Sequence, residues 1–402
     1  MSQPSANGKK TMKQTQSTKP IIVFWDEVGL PPTGALRSNA SFKVILEKLR
    51  KQMDYILVCP CTTEATRGDG ITIVPLGTVP TSTHILKNPL SCRQTICEAI
   101  TKAITLAGPN APILMVDAIL PSFILLSCVS RSTSLYLYLR GDDAYEAKIR
   151  TIGVARGWGI LHEALLKTVR NKLIARCKII GAGELPIPKR LLANKRVFPF
   201  YPTSIDTNQL KNRKKNISPS TFTVLGIGRL VHIKRYDRLI RACSQLSRDY
   251  HKSIKLVLIG NGPQRHKLEA LAKSLTTATY EVQFTGTQPK ENMASWLSSA
   301  SCLAISSDWE GLPKTLSEAC LHGLPVVSTQ VGSISQYIIS HEIGIVCKRS
   351  TSALTNALLE MTNREKQRKY AANAWLQAEH FAIEKQCARL SNHLMQRMGG
   401  EE

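Results

Sequence analysis

The stretch EGLPKTLSE, running from Glu310 to Glu318, decides how this chain is read. A short apolar run, Leu303 to Ile305, precedes it and reads as a buried parallel strand. Ala319, Cys320, Leu321 and His322 follow it and read as a helix stopped by Gly323. Glu310 then lies in the loop after a strand, and Glu318 about two turns into the next helix. Between them, Gly311 and Leu312 offer backbone amides at the helix N-terminus, with Pro313 near its first position. Amides and the helix dipole suit a phosphate, and carboxylates suit sugar hydroxyls.

A second element sharpens the first. Thr221 to Ile227 reads as an apolar strand, and it runs into Gly228-Arg229-Leu230-Val231-His232-Ile233-Lys234. Gly226 and Gly228 let the backbone come close to a ligand. Arg229 and Lys234 place two cations just beyond the strand's carboxyl end, the edge where open α/β sheets bind ligands. Two cations there, and two carboxylates with free amides a few strands later, describe a nucleotide diphosphate-sugar site.

On these residues the C-terminal half resembles the retaining glycosyltransferases of family 4 (glycosyl transferases group 1), which have the GT-B fold. The matching segments are GIGRLVHIKRYDRLIRA (226–242), VLIGNGP (257–263), VQFTG (282–286), SSDWEGLPKTLSEACLHGLPVVST (306–329) and VGSISQYI (331–338), in the family's order. The resemblance covers about 150 residues, the size of one domain, and continues more faintly through the N-terminal half. It implies an α/β protein of two doubly wound Rossmann-like domains facing a central cleft.

The whole chain is compatible with that. At 402 residues it is long enough for two domains with separate cores. Its 11 cysteines are scattered apart from Cys59-Pro-Cys61, with no paired CxxC array and no metal-ligand spacing. They read as buried thiols in a reducing cytosol, without a disulfide framework. Residues 1–20 are polar, with no apolar core of a signal peptide, and read as a disordered tail. The longest apolar stretch, Ala111 to Val129, is interrupted by Asp117 and Pro121 and reads as a strand and a buried helix. The expected location is cytoplasmic, with peripheral contact on the inner face of the membrane as an extension. The net charge of +24 attracts anions without naming them. Phosphate-bearing substrates and an anionic membrane surface fit. Nucleic acid fits poorly, because no zinc-finger spacing, RRM signature or aromatic-basic interleaving is present.

Along the chain, runs at 21–25, 55–59, 71–76, 113–116, 135–139, 178–180 and 197–200 read as strands, with helical patterns such as 41–51 and 92–106 between them. A second alternation has strands at 221–227, 255–259, 282–284, 302–305, 325–328 and 344–347. The expected division is a tail at 1–20, an N-terminal acceptor domain at 21–205, a basic linker at 206–220, a nucleotide-sugar-binding domain at 221–375 and a C-terminal helix at 376–402. By the resemblance, that last helix packs back across the N-terminal domain.

The resemblance also assigns roles. Arg229 and Lys234 hold the diphosphate and offset charge on the departing nucleoside diphosphate; Glu310 lies near the donor sugar and the reacting carbon. Gly228, the amides of Gly311 and Leu312, and Glu318, which accepts from the ribose diol, bind the donor, with Thr287 near the base. The family's usual Gly after the lysine is Arg235 here, either a third cation at the site or a solvated side chain. Gly260-Asn261-Gly262-Pro263 reads equally as a plain turn or a ligand contact. In the N-terminal half, Gly34 sits in a glycine loop after the first strand. Arg140 stands where many relatives carry His, followed by Gly141, Asp142 and Asp143. Gly34, Arg140 and Asp142 are the sugar- or acceptor-facing candidates. Adjacent Asp142 and Asp143 do not form the DxD of metal-dependent transferases, so neither a metal nor a cofactor is expected. Lys148 to Lys178 alternates basic and apolar residues, as a membrane-surface helix or as a core-packed helix with a charged outer face.

The expected function is transfer of a sugar, with retention, from a nucleotide diphosphate-sugar to a glycan or lipid-linked acceptor, as in surface polysaccharide or lipopolysaccharide synthesis. The alternative is a non-catalytic nucleotide-sugar-binding or assembly protein, which the changed Arg140 segment and Arg235 permit.

Overall fold

The computed structural model describes residues 18–25, 43–61, 65–66, 71–77, 85, 88–116, 119–139, 156–181, 197–201, 203, 205–213, 221–310 and 313–396. Two sheets organise them. The first holds eight strands: β1 (Ile21–Phe24), β2 (Tyr55–Cys59), β3 (Ala65–Thr66), β4 (Ile71–Pro75), β5 (Ile113–Val116), β6 (Leu135–Leu139), β7 (Lys178–Gly181) and β8 (Phe198–Pro199). Their order is β3-β4-β2-β1-β5-β6-β7-β8, and every pairing is parallel except β3 with β4. Its helices are α1 (Lys43–Leu49), α2 (Pro89–Ala107), α3 (Ile119–Leu125) and α4 (Arg156–Arg176).

A short helix, α5 (Thr207–Lys211), leads to the second sheet. It lies inside the stretch expected as a plain linker. Asp206 and Gln209 form a reciprocal capping box that satisfies the first turn's amides. The second sheet holds β9 (Phe222–Ile227), β10 (Ile254–Ile259), β11 (Tyr280–Gly286), β12 (Cys302–Ile305), β13 (Val326–Thr329) and β14 (Gly344–Cys347), in the order β11-β10-β9-β12-β13-β14. All its pairings are parallel. Its helices are α6 (Tyr236–Tyr250), α7 (Arg265–Leu275), α8 (Lys290–Ser298), α9 (Lys314–Leu321), α10 (Gly332–Ser340), α11 (Thr351–Met361) and α12 (Arg364–Gln377), and the chain ends its described part with α13 (Ile383–Met395). The expected pair of doubly wound α/β domains is thus what the chain forms.

Strands this apolar must be covered on both faces. In β1, Ile21 and Val23 face one core with Ile96, Ile100, Leu125 and Leu173, from α2, α3 and α4. Ile22 and Phe24 face the other, where α1 brings Ile45, Leu46 and Leu49. Ile383, Cys387, Leu390 and Leu394 complete that second core, and all four belong to α13. The last helix therefore lies on the N-terminal sheet, although α12 before it packs with the C-terminal one. Glu384 fastens the crossing: one carboxylate oxygen accepts from Lys48 Nζ at 2.6 Å, the other from the Thr207 amide at 3.2 Å. The Ile383 amide donates to the Ile205 carbonyl at 2.8 Å, so the outgoing and returning chains are bonded where they pass.

One expectation about cysteine is corrected. Cys97 and Cys128 form a disulfide across 31 residues. α2 crosses from β4 to β5 and α3 leaves β5 on the same side of the sheet, and α2 and the turn after α3 come within a Cα separation of 5.0 Å at these two positions. Cys59 and Cys61 remain thiols, with their sulfurs 3.9 Å apart. Burial raises the pKa of the Cys243, Cys302 and Cys320 thiols.

Leu390 is 1% exposed in the second N-terminal core. Leu390→Ala should destabilise that domain by about 2–5 kcal/mol. Urea unfolding followed through Trp25, buried on the opposite face of the same sheet, is the measurement; an unmoved transition would mean that α13 only rests on the domain.

Candidate active site

The second sheet changes winding direction between β9 and β12: β10 and β11 lie to one side, β13 and β14 to the other. Such a switch point opens a crevice at the strands' carboxyl ends. β9 and β12 are parallel neighbours, with Leu225 opposite Leu303, so the loops leaving them run side by side. One carries Lys234 and the other carries Glu310.

The two side chains meet. Lys234 Nζ lies 2.5 Å from Glu310 Oε1, and the Ser307 hydroxyl donates to the same oxygen at 2.6 Å. Among the described residues Glu310 Oε2 has no hydrogen-bond partner, so one carboxylate oxygen is committed and the other is left to accept. Glu310 is 9% exposed and Lys234 is 23% exposed. A carboxylate so enclosed needs this cation and hydroxyl. Ser307 is itself fixed by Thr329, whose hydroxyl donates to its carbonyl at 2.7 Å. Two more hydrogen bonds stitch the loops, from the Asp308 amide to the Ile233 carbonyl at 2.9 Å and from the Ser306 hydroxyl to the Lys234 carbonyl at 2.8 Å.

Arg235 resolves its two readings in favour of neither. Its backbone is left-handed, φ 49 and ψ 41, where glycine is the usual choice. Its guanidinium grips both carboxylate oxygens of Asp237 at 3.0 Å and reaches Asp308 at 3.0 Å. Asp308 is shared with the buried Arg238, which donates to it at 2.7 Å and to the Ser306 carbonyl at 2.8 Å. Arg235 is thus a brace between the two loops. Burial pushes the Asp308 carboxyl upward, but the Arg238 and Arg235 guanidiniums outweigh it and hold it below the ordinary value. Asp237 is lowered in the same way, burial opposing and Arg235 prevailing.

The other expected residues are placed as follows. Gly228 has φ 145, and a Cβ there would lie 3.1 Å from the Tyr236 hydroxyl. Gly260 is confined more tightly: a Cβ would fall 2.0 Å from the Gly228 carbonyl. The GNGP turn is accordingly braced against the Gly228 loop, with Gly228 N donating to Ile259 O and Leu230 N to Asn261 O, both at 2.9 Å. Arg229 is exposed and has no ion-pair partner among the described residues. Glu318 is the fifth residue of α9, just over one turn in and not the two expected, because the helix starts only at Lys314 with Pro313 as its N-cap. Its carboxylate is half-buried and bonds to no described residue. Burial raises its pKa against the lowering charges of Lys314 and Lys290. Thr287 is exposed just past β11. Gly34, Arg140, Asp142, Gly311 and Leu312 lie outside the described residues.

Sequence reasoning missed Ser307, Arg238 and Asp308. A serine three residues before a loop carboxylate is a usable signal, since short polar side chains bond within such turns. Arg238 shows only as one more basic residue in a basic helix.

Comparison with known proteins bears on the fold and on the C-terminal domain. Residues 208–375 match the family model Glycosyl transferases group 1, which places a domain of that type in the C-terminal half. An uncharacterized glycosyltransferase of Methanocaldococcus jannaschii is 32% identical over 141 residues, covering 35% of this chain and 34% of the relative. The first curated relatives are matched over a third to a half of their own length. Among solved structures, the lipopolysaccharide outer core galactosyltransferase WaaB superposes with a TM-score of 0.65 at 13% identity, covering 94% of this chain and 99% of that one. HepE of Anabaena, solved in complex with UDP, gives a TM-score of 0.62 at 14% identity over 94% of this chain and 100% of that one. The fold is therefore GT-B.

The Asp308 brace yields a test. Its native pKa is depressed, so its contribution to stability is complete above the unfolded value of about 3.8 and is lost as pH falls through the lower native value. Asp308→Asn should cost about 1.5–3 kcal/mol near neutrality. Chemical denaturation of both proteins at several pH values should show that gap closing in acid.

Proposed function

We propose that this protein is a retaining glycosyltransferase that moves a sugar from a nucleotide diphosphate-sugar to a glycan or lipid-linked acceptor in surface polysaccharide or lipopolysaccharide synthesis. The observation that carries the reading is the meeting of Lys234 and Glu310 at the switch point, with one oxygen of Glu310 left to accept a hydroxyl.

In this reading the diphosphate binds across the loop after β9. Arg229, exposed and unpaired among the described residues, meets it first. Lys234 then shares its charge between Glu310 and the departing phosphate. Negative charge grows on the leaving diphosphate as the glycosidic bond breaks, and cations already in place stabilise it without reorganising. The amides of Gly311 and Leu312 are assigned the same task. Glu310 Oε2 accepts from a donor-sugar hydroxyl and orients the anomeric carbon. The acceptor attacks on the face that the diphosphate leaves, so no protein nucleophile is required. Glu318 accepts from the ribose diol, which suits a half-buried carboxylate with no hydrogen-bond partner among the described residues. Thr287 lies on the side of the base. Gly34, Arg140 and Asp142 are assigned to the acceptor side, and the two domains close to align acceptor with donor. A net charge of +24 makes an anionic membrane surface a further partner.

A thermal-shift screen with UDP-, GDP-, ADP- and CMP-sugars identifies the donor, because a ligand specific to the native state raises its stability. Glu318→Ala should weaken binding of that nucleotide by about 1.5–3 kcal/mol, measured by calorimetry on the folded variant. Lys234→Ala should lower kcat more than it raises KM, since its charge is used most in the transition state. A stabilising donor with no turnover on any glycan or lipid-linked acceptor would favour the non-catalytic alternative.

A further inference from the structure

The N-terminal domain carries a groove lined by none of the residues assigned to the reaction above. It has a volume of about 700 Å3 and runs between the first turns of α2 and the length of α3, with α4 as its third wall. Leu90, Leu120, Phe123, Ile124, Leu126 and Val169 line it. That size is within the range of small-ligand sites. Leu90, on its rim, is 81% exposed, which a leucine in a finished interior is not. α2 and α3 follow strands β4 and β5, so the groove starts from the carboxyl edge of the N-terminal sheet.

The walls are held at a set separation. The Cys97–Cys128 disulfide joins α2 to the turn after α3, and Arg93 Nε donates to the Ser127 hydroxyl at 3.0 Å beside it. A groove already shaped costs a ligand less ordering than one that must open. The rim is cationic. Arg93 stands on one side, and Lys172 Nζ lies 5.8 Å from the Phe123 ring on another. The three helices together carry seven lysines and arginines against two glutamates, Glu98 and Glu163.

We infer that this groove seats a hydrocarbon chain of an anionic phospholipid, with the lipid's phosphate on the Arg93 and Lys172 side, and so docks the protein on an acidic bilayer. The inference rests on the membrane part of the reading above and assigns it a site. Apolar walls bury the chain. The cations meet the headgroup, each adding about five-fold to membrane affinity at low salt. No described helix is long and apolar enough to cross a bilayer, which fits contact through one groove and its rim. Lys167, exposed on α4, then adds attraction without inserting.

The test is sedimentation of the full chain with vesicles of phosphatidylcholine alone and of phosphatidylcholine with phosphatidylglycerol. Wild-type protein should follow the anionic vesicles at low salt and leave them at high salt. Leu90→Ser should reduce that partition about ten-fold or more. Leu106→Ser, a matched control at a leucine 53% exposed on the same helix but off the groove, should not. Hydrogen exchange should slow in 89–93 and 119–127 when vesicles are added. If wild type and Leu90→Ser partition equally, the groove is overturned and the membrane reading survives on other contacts. If wild type stays in solution with both vesicles, groove and membrane both fall, and the donor assignments remain to their own tests. If Leu90→Ser instead abolishes a wild-type dimer in sedimentation velocity, the groove is an interface between two copies and the lipid proposal fails.

Discussion

Parallel sheets have no polar face to show to water, and that constraint governs this molecule. The central strands of the first sheet alternate apolar side chains to both sides, as Ile21 and Val23 against Ile22 and Phe24 illustrate. The chain supplies α2, α3 and α4 to one side at once. The other receives α1 early and is finished only by α13, from beyond the second domain. The backbone bond between Ile205 and Ile383 and the double grip of Glu384 follow from that path. Two crossing segments, held together where they pass, give any relative movement of the domains a defined axis.

The site follows from the second sheet by the same reasoning. Parallel strands deliver all their carboxyl-end loops to one edge, and the reversal of winding at β9 and β12 leaves a gap between helices there. The loops at that gap are not left to flop. Asp308, Arg235 and Arg238 tie one to the other, Ser307 and Lys234 hold the same oxygen of Glu310, and Thr329 holds Ser307. Groups fixed before a ligand arrives need no reorganisation when charge develops, which is the sense in which a loop site can be as exact as one on a strand.

Much of this was legible in the sequence. Strands such as Tyr55–Cys59 and Cys302–Ile305 announce themselves as apolar runs between helical patterns. Lys234 and Glu310 stood out through their motifs. Their contact did not, because it spans 76 residues and depends on which strand lies beside β9. The disulfide was hidden for the same reason: nothing in the spacing of Cys97 and Cys128 says that their helices are neighbours. Arg235 misled because its residue type suggested either a ligand-facing cation or a solvated side chain, whereas two aspartates had already claimed its donors. The pattern of Ile383, Cys387, Leu390 and Leu394 marks one apolar helix face, but periodicity alone does not say which sheet it covers.

The return of α13 has a consequence for how the protein is made. Residues 21–200 leave the ribosome as a domain with one side of its sheet only partly covered, and the side chains that complete it lie between 383 and 394. At a synthesis rate of about 5–20 residues per second, that surface waits on the order of 10–40 s for its partner. During that time the second domain is being made and can fold by itself, since its own helices cover its sheet. The domain made first is therefore the one finished last, and its half-built core is the surface most in need of a chaperone.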